Sequence, residues 1–146
     1  MREINAKQIT EVVKKLCIDA NFYIGDDVLA AFDRGEKAEE SPVGKEIFQQ
    51  LKENARIARE EKVAYCQDTG LAVIFVEMGQ DLHVVGGDFN AAVNEGVRQG
   101  YQEGYLRKSA CHCFSRANTK DNTPAVVHLE IVPGDKMKIT VAPKGG

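Results

Sequence analysis

The chain has 146 residues, 43% of them hydrophobic, with 19 Lys and Arg against 22 Asp and Glu for a formal charge of -3. That is the length and apolar content of one globular domain, and it argues against disorder. There is no basic excess to draw the chain toward nucleic acid. The longest apolar run, Leu71 to Val76, is too short to cross a bilayer, and Met1-Arg2-Glu3 lacks the apolar core of a secretory signal. The expected location is the cytoplasm, with no membrane and no nucleic-acid partner. In that reducing setting Cys17, Cys66, Cys111 and Cys113 point to metal or thiol chemistry rather than to disulfides.

The first sixty residues read as helical. Ile9, Val12, Val13, Leu16, Cys17 and Ala20 recur at steps of three and four, which gives one apolar face. Gly25 interrupts that pattern, and a shorter helix carries Val28, Leu29 and Phe32 as far as Gly35. Ser41-Pro42 supplies an N-cap and a first-turn proline for a third helix, whose stripe is Ile47, Phe48, Leu51, Ala55 and Ala58. The charged run from Lys52 to Lys62 mixes both signs, as a solvated helix face does.

From Val63 the period changes. Leu71 to Val76 suits a strand buried on both faces, and Leu82 to Val85 is expected to pair beside it after the Gly79-Gln80-Asp81 turn. A helix follows from about Asp88 to Gly104. Phe89, Val93, Val97, Tyr101 and Tyr105 step by four along it, with Ala92, Gly96, Gly100 and Gly104 in an adjacent stripe. Helix-interior glycines cost roughly 0.5–1 kcal/mol each relative to Ala, so the stripe predicts very close backbone packing. Two final strands, one through Ala125, Val127, Leu129 and Ile131 and one through Met137, Ile139 and Val141, are expected to form a hairpin about Pro133-Gly134-Asp135. The expected fold is one α+β domain over residues 1–146: N-terminal helices, then a small, mostly antiparallel sheet of about four strands with an inserted helix.

Cys66-Gln67-Asp68-Thr69-Gly70 is the most informative stretch. A thiol, an amide, a carboxylate and a hydroxyl precede an apolar strand, with a glycine that permits a tight turn. The thiolate could ligate iron and the carboxylate could move protons. Equally, Asp68 or Thr69 could bond to backbone while Cys66 acts as an apolar filler. Cys111-His112-Cys113 offers ligand types for zinc or iron, but no second paired motif completes a closed site. Cys17 falls on the apolar face of the first helix and reads as core, while His83 and His128 fall in strands and read as hydrogen-bonded structural residues.

CQDTG ahead of an apolar strand resembles the cluster-binding motif of class I, iron–sulfur fumarases and tartrate dehydratase α subunits. The resemblance extends through Asp88-Phe89-Asn90, Tyr105-Leu106-Arg107-Lys108-Ser109, Asn122-Thr123-Pro124-Ala125 and Ala142-Pro143-Lys144-Gly145-Gly146. It implies the N-terminal part of a hydro-lyase that reversibly hydrates an unsaturated dicarboxylate, of the fumarate-to-malate type. A 4Fe–4S cluster with one open iron would serve as Lewis acid. By the resemblance Cys66 is the metal ligand, Asp68 is catalytic, and Gln67, Arg107, Gly145 and Gly146 bind the hydroxy-dicarboxylate substrate. The resemblance places the other two cluster cysteines beyond Gly146, so no cluster is expected to bind stably to this chain alone. The implied partners are the remaining catalytic part, on the same polypeptide or a second subunit, and a second copy in a homo-oligomer. A contrasting expectation is a non-catalytic assembly domain that docks through its glycine-faced helix.

Overall fold

The computed structural model describes residues 1–145, and Gly146 lies outside them. In chain order the elements are β1 (Arg2–Asn5), α1 (Ala6–Phe22), α2 (Asp26–Ala38), α3 (Pro42–Glu61), β2 (Leu71–Gly79), β3 (Leu82–Val85), α4 (Phe89–Glu103), β4 (Val126–Val132) and β5 (Met137–Lys144). The α+β class holds. The strands form a two-stranded sheet, β1 with β3, and a three-stranded sheet in the order β4-β2-β5.

Helix starts follow local chemistry. Asn5 accepts from the backbone N–H of Lys7, and Gln8 reaches back to the Asn5 N–H, which makes a capping box for α1. Ser41 caps α3 with Pro42 as its first residue, and Asp88 caps α4 by accepting from Ala91 N at 2.7 Å. α2 runs through Gly35 to Ala38 rather than stopping at the glycine. The reason is packing: a β-carbon at Gly35 would meet the Phe48 ring of α3, so the glycine lets the two helices approach.

The core lies between the helical layer and one face of the larger sheet. Ile9, Val13 and Cys17 of α1 and Val93, Val97 and Tyr101 of α4 close over Ala72, Ile74 and Val76 of β2. The glycine stripe of α4 faces α1. A β-carbon on Gly96 would lie 2.7 Å from the Thr10 carbonyl oxygen, and one on Gly100 would lie 2.9 Å from both the Lys14 carbonyl oxygen and the Cys17 β-carbon. The stripe is therefore consumed inside the domain, and the expected docking of a partner on that face is overturned.

Three strand expectations also change. β2 is buried on one face only, with Phe75 46% exposed on the other, because α1 and α4 cover a single side. β3 does not pair beside β2 but runs parallel to β1, with Arg2 opposite Leu82 and Asn5 opposite Val85. The turn after β2 instead bonds toward the end of β4 and its loop: Gln80 N donates to Val132 O at 2.9 Å and Asp81 N to Gly134 O at 2.9 Å. β4 and β5 are not hairpin neighbours either. β2 lies between them, parallel to β4 and antiparallel to β5, so it satisfies its backbone on both edges. The 133–136 connection crosses the end of β2 against Gly79, where a β-carbon would strike the Gly134 carbonyl.

Gly100→Leu should lower stability by about 1–3 kcal/mol through overlap with α1, as overpacking does in a filled interior. A urea melt with a midpoint at or above wild type would contradict close α1–α4 packing.

Candidate active site

Residues 63–70 form an arch held at both ends. Before the crest, Tyr65 N donates to Asn21 O at 2.8 Å, and the Asn54 side-chain amide donates to Tyr65 O at 2.9 Å. After the crest, Tyr101 OH donates to Thr69 O at 2.8 Å and lies 3.3 Å from Gly70 O. The Asn122 amide donates to Gly70 O at 3.0 Å, while its own oxygen accepts from Ala110 N at 3.0 Å. Thr69 Oγ1 donates to Arg107 O at 2.9 Å. Burial pushes the Tyr101 hydroxyl well above the usual phenol range, which keeps it a proton donor.

This junction ties the arch to the segment 106–110 and to Asn122. Gly70 sits at φ +67, and a β-carbon there would run into the Lys144 carbonyl, so the end of β5 closes directly over it. Cys66 and Gln67 stand exposed on the crest. Asp68 turns back, accepting from Gly70 N at 3.0 Å, and its other oxygen would be 2.9 Å from a β-carbon on Gly145.

Asp68, Gly70, Leu71, Arg107, Ser109, Cys111, Arg116 and Lys144 line a cavity of about 620 Å³. That volume is in the range of small-molecule sites. Its walls carry three cationic side chains against one carboxylate, which favours a ligand with two negative charges. Arg107, Ser109 and Cys111 enter the lining at alternate positions, while Leu106 and Ala110 between and beside them are buried in the opposite sense. This period-two alternation explains how one side of the 106–111 segment meets the cavity.

The structure thus brings Asp68, Arg107 and Gly145 together, and places Cys66 and Gln67 on the adjoining crest. The Gly146 assignment lies outside the described residues. Arg116, Lys144 and Ser109 line the cavity without having been assigned from sequence. Lys144 and Ser109 fall within motifs that carry the resemblance, and the alternation with Arg107 was a signal for Ser109. Arg116 had none, because a turn delivers it: Cys111 bridges Asn118, His112 N donates to Ala117 O at 2.8 Å and Arg116 N to His112 O at 2.9 Å. That turn leaves Cys113 exposed and separates it from the cavity wall that Cys111 joins.

Residues 10–146 match the family model described as Fumarate hydratase (Fumerase). The chain belongs to the fumarate hydratase family. Among its relatives, the aerobic class I fumarate hydratase of Salmonella typhimurium is 38% identical over 105 residues, covering 70% of this chain and 18% of that protein. The anaerobic class I enzyme of Escherichia coli is 31% identical over 150 residues, covering 99% of this chain and 27% of that protein. The L(+)-tartrate dehydratase subunit alpha of Escherichia coli is 30% identical over 154 residues, covering 100% of this chain and 50% of that subunit. The chain therefore spans half the length of these relatives or less.

The cysteines differ sharply in environment. Cys17 is fully buried in the core, and burial pushes its thiol up to about 12. Cys66, Cys111 and Cys113 are exposed. Native alkylation with iodoacetamide at pH 8 should label those three quickly and Cys17 only on unfolding, as peptide mass spectrometry would record. The sign of the pH effect follows from the raised thiol. Stability gained by burying neutral Cys17 is complete below its ordinary value of 9.0 and is lost as pH rises from there toward about 12. In the buried junction, Asn122→Ala should cost about 1–3 kcal/mol for each backbone group left unpaired and should speed amide exchange at Ala110.

Proposed function

We propose that this chain is the N-terminal portion of a hydro-lyase that adds water reversibly to an unsaturated dicarboxylate, as in fumarate to malate. The observation that carries the reading is the cavity, where Asp68 and Arg107 meet Arg116 and Lys144 in a member of the fumarate hydratase family.

Each residue has a role fitted to its chemistry. The Arg107 guanidinium offers a planar fork for one substrate carboxylate, and Arg116 and Lys144 supply the charge for the second. Asp68, held by the Gly70 N–H and packed against Gly145, is a carboxylate placed to exchange a proton with the carbon next to the substrate carboxylate. Gln67 adds an amide at the rim, and the Gly145 backbone, close against Asp68, borders the substrate. The fixed ends of the arch keep these groups in register, which lowers the cost of ordering them around the ligand.

Cys66 suits one soft ligand of an iron–sulfur cluster, since it is an exposed thiol on an arch anchored on both sides. Among the described residues no group of three His, Cys, Asp or Glu side chains could hold a metal ion, so the remaining ligands would come from the rest of the enzyme. When bound, a 4Fe–4S cluster with an open iron would supply Lewis-acid polarisation of the substrate hydroxyl. That remainder, in the same polypeptide or a partner subunit, also completes the substrate envelope. Assembly takes place in the cytoplasm as a homo-oligomer.

Two measurements test this reading. In the completed assembly Arg107→Lys should cut kcat/KM for malate about tenfold or more, because a point charge replaces two parallel hydrogen bonds. An unchanged specificity constant would remove Arg107 from the site. The chain alone, reconstituted anaerobically with iron and sulfide, should stay colourless and inactive. A stable chromophore lost on Cys111→Ser would instead assign the cysteines of the 111–113 turn to the cluster.

A further inference from the structure

Ser109 Oγ is buried and lacks a hydrogen-bond partner, and it alone among the described buried side-chain nitrogen and oxygen atoms is in that state. A serine hydroxyl carries one donor and two acceptor sites, and a sealed hydroxyl usually turns to a nearby carbonyl or amide. Here the neighbouring backbone is already engaged. Ala110 N donates to Asn122, Ala110 O accepts from Thr119 N, and Lys108 O accepts from the Asn118 amide. The residue lies in the cavity wall with Arg107 and Cys111, two positions to either side, in a cavity that Arg116 and Lys144 make strongly cationic.

We infer that Ser109 is a substrate-binding residue whose hydroxyl donates to a carboxylate oxygen of the ligand that Arg107 grips. The inference rests on the reading of this cavity as the substrate site. Ser109 already lines the cavity, and its χ1 can turn between staggered wells to present Oγ to a ligand there. The three cations fix the sign of the ligand but attract any dianion. A short neutral donor beside one of them adds direction, and so selects the carboxylate whose oxygen lies in its path. The vacant hydrogen bond is then a cost held by the empty protein and relieved on binding, as expected of a site shaped for its ligand rather than for its own stability.

The test uses the full chain and two readouts. In urea melts without ligand, Ser109→Ala should be as stable as wild type or more stable, because it removes an unpaired buried hydroxyl. A lower midpoint would show that the hydroxyl is paired structurally and would overturn the inference. In titrations with L-malate followed by amide chemical shifts at Arg107, Ser109, Cys111 and Lys144, wild type should shift saturably. Ser109→Ala should weaken the apparent affinity about tenfold, the expected loss of one hydrogen bond to a charged group. Equal affinity in wild type and variant would remove Ser109 while leaving the cavity reading intact. Shifts absent from these four residues in wild type would overturn both. Ser109→Gly removes the same hydroxyl with less bulk and serves if the alanine variant fails to fold.

Discussion

The carbonyl oxygen of Gly70 accepts from the Asn122 amide at 3.0 Å and lies 3.3 Å from the Tyr101 hydroxyl. Around that one atom, α4, the 106–110 segment, the approach to β4 and the entrance to β2 are joined. Every member of the junction is buried: Tyr101 is 1% exposed, Asn122 1% and Thr69 2%. In so dry a setting an unmet hydrogen bond is costly, so the network is either complete or strongly destabilising. Because it is complete, the arch bearing Cys66, Gln67 and Asp68 has fixed ends, and Arg107 is held through its own carbonyl by Thr69.

Charge then gives the cavity its character. Several cations on the helices are neutralised locally: Lys52 between Asp33 and Glu36, Arg56 between Glu53 and Glu60, and Arg98 against Glu95. The Glu95 carboxyl is held down to about 2 by hydrogen bonds from Arg98 and then Gln99, even with desolvation opposing them. The chain as a whole is acidic, yet the cavity concentrates Arg107, Arg116 and Lys144 around a single carboxylate. An acidic protein with a cationic recess directs small anions to that recess.

Local chemistry made much of this legible from sequence. The Ser41-Pro42 and Asp88 helix starts, the apolar stripe of α1, the glycine stripe of α4 and the strand after CQDTG are all patterns written in residues a few positions apart. What stayed hidden depends on partners far along the chain. Arg2–Asn5 is too short and polar to announce a strand, and becomes one because β3 lies beside it. β4 and β5 read as a hairpin because each alternates and a tight turn separates them, whereas the unmet edges of β2 draw one to either side. Lys144 and Arg116 reach Asp68 only through that strand order and through the 111–118 turn. No local period could report such a meeting.

The same long-range closure governs how the chain can come together on a ribosome. The apolar stripe of α1 is covered by α4, whose Gly96 packs on Thr10, and β1 finds its partner at Leu82–Val85. Gly70 receives its cover only when Lys144 arrives. Contacts so distant in sequence must overcome loop-closure entropy before they contribute, which slows folding and leaves early segments exposed. Only α2 and α3, linked by Phe32 against Phe48 and by Lys52 to Asp33 and Glu36, can settle as they emerge. The apolar side of α1 must therefore wait uncovered until α4 has been synthesised, a window in which a chaperone rather than the fold itself would guard it.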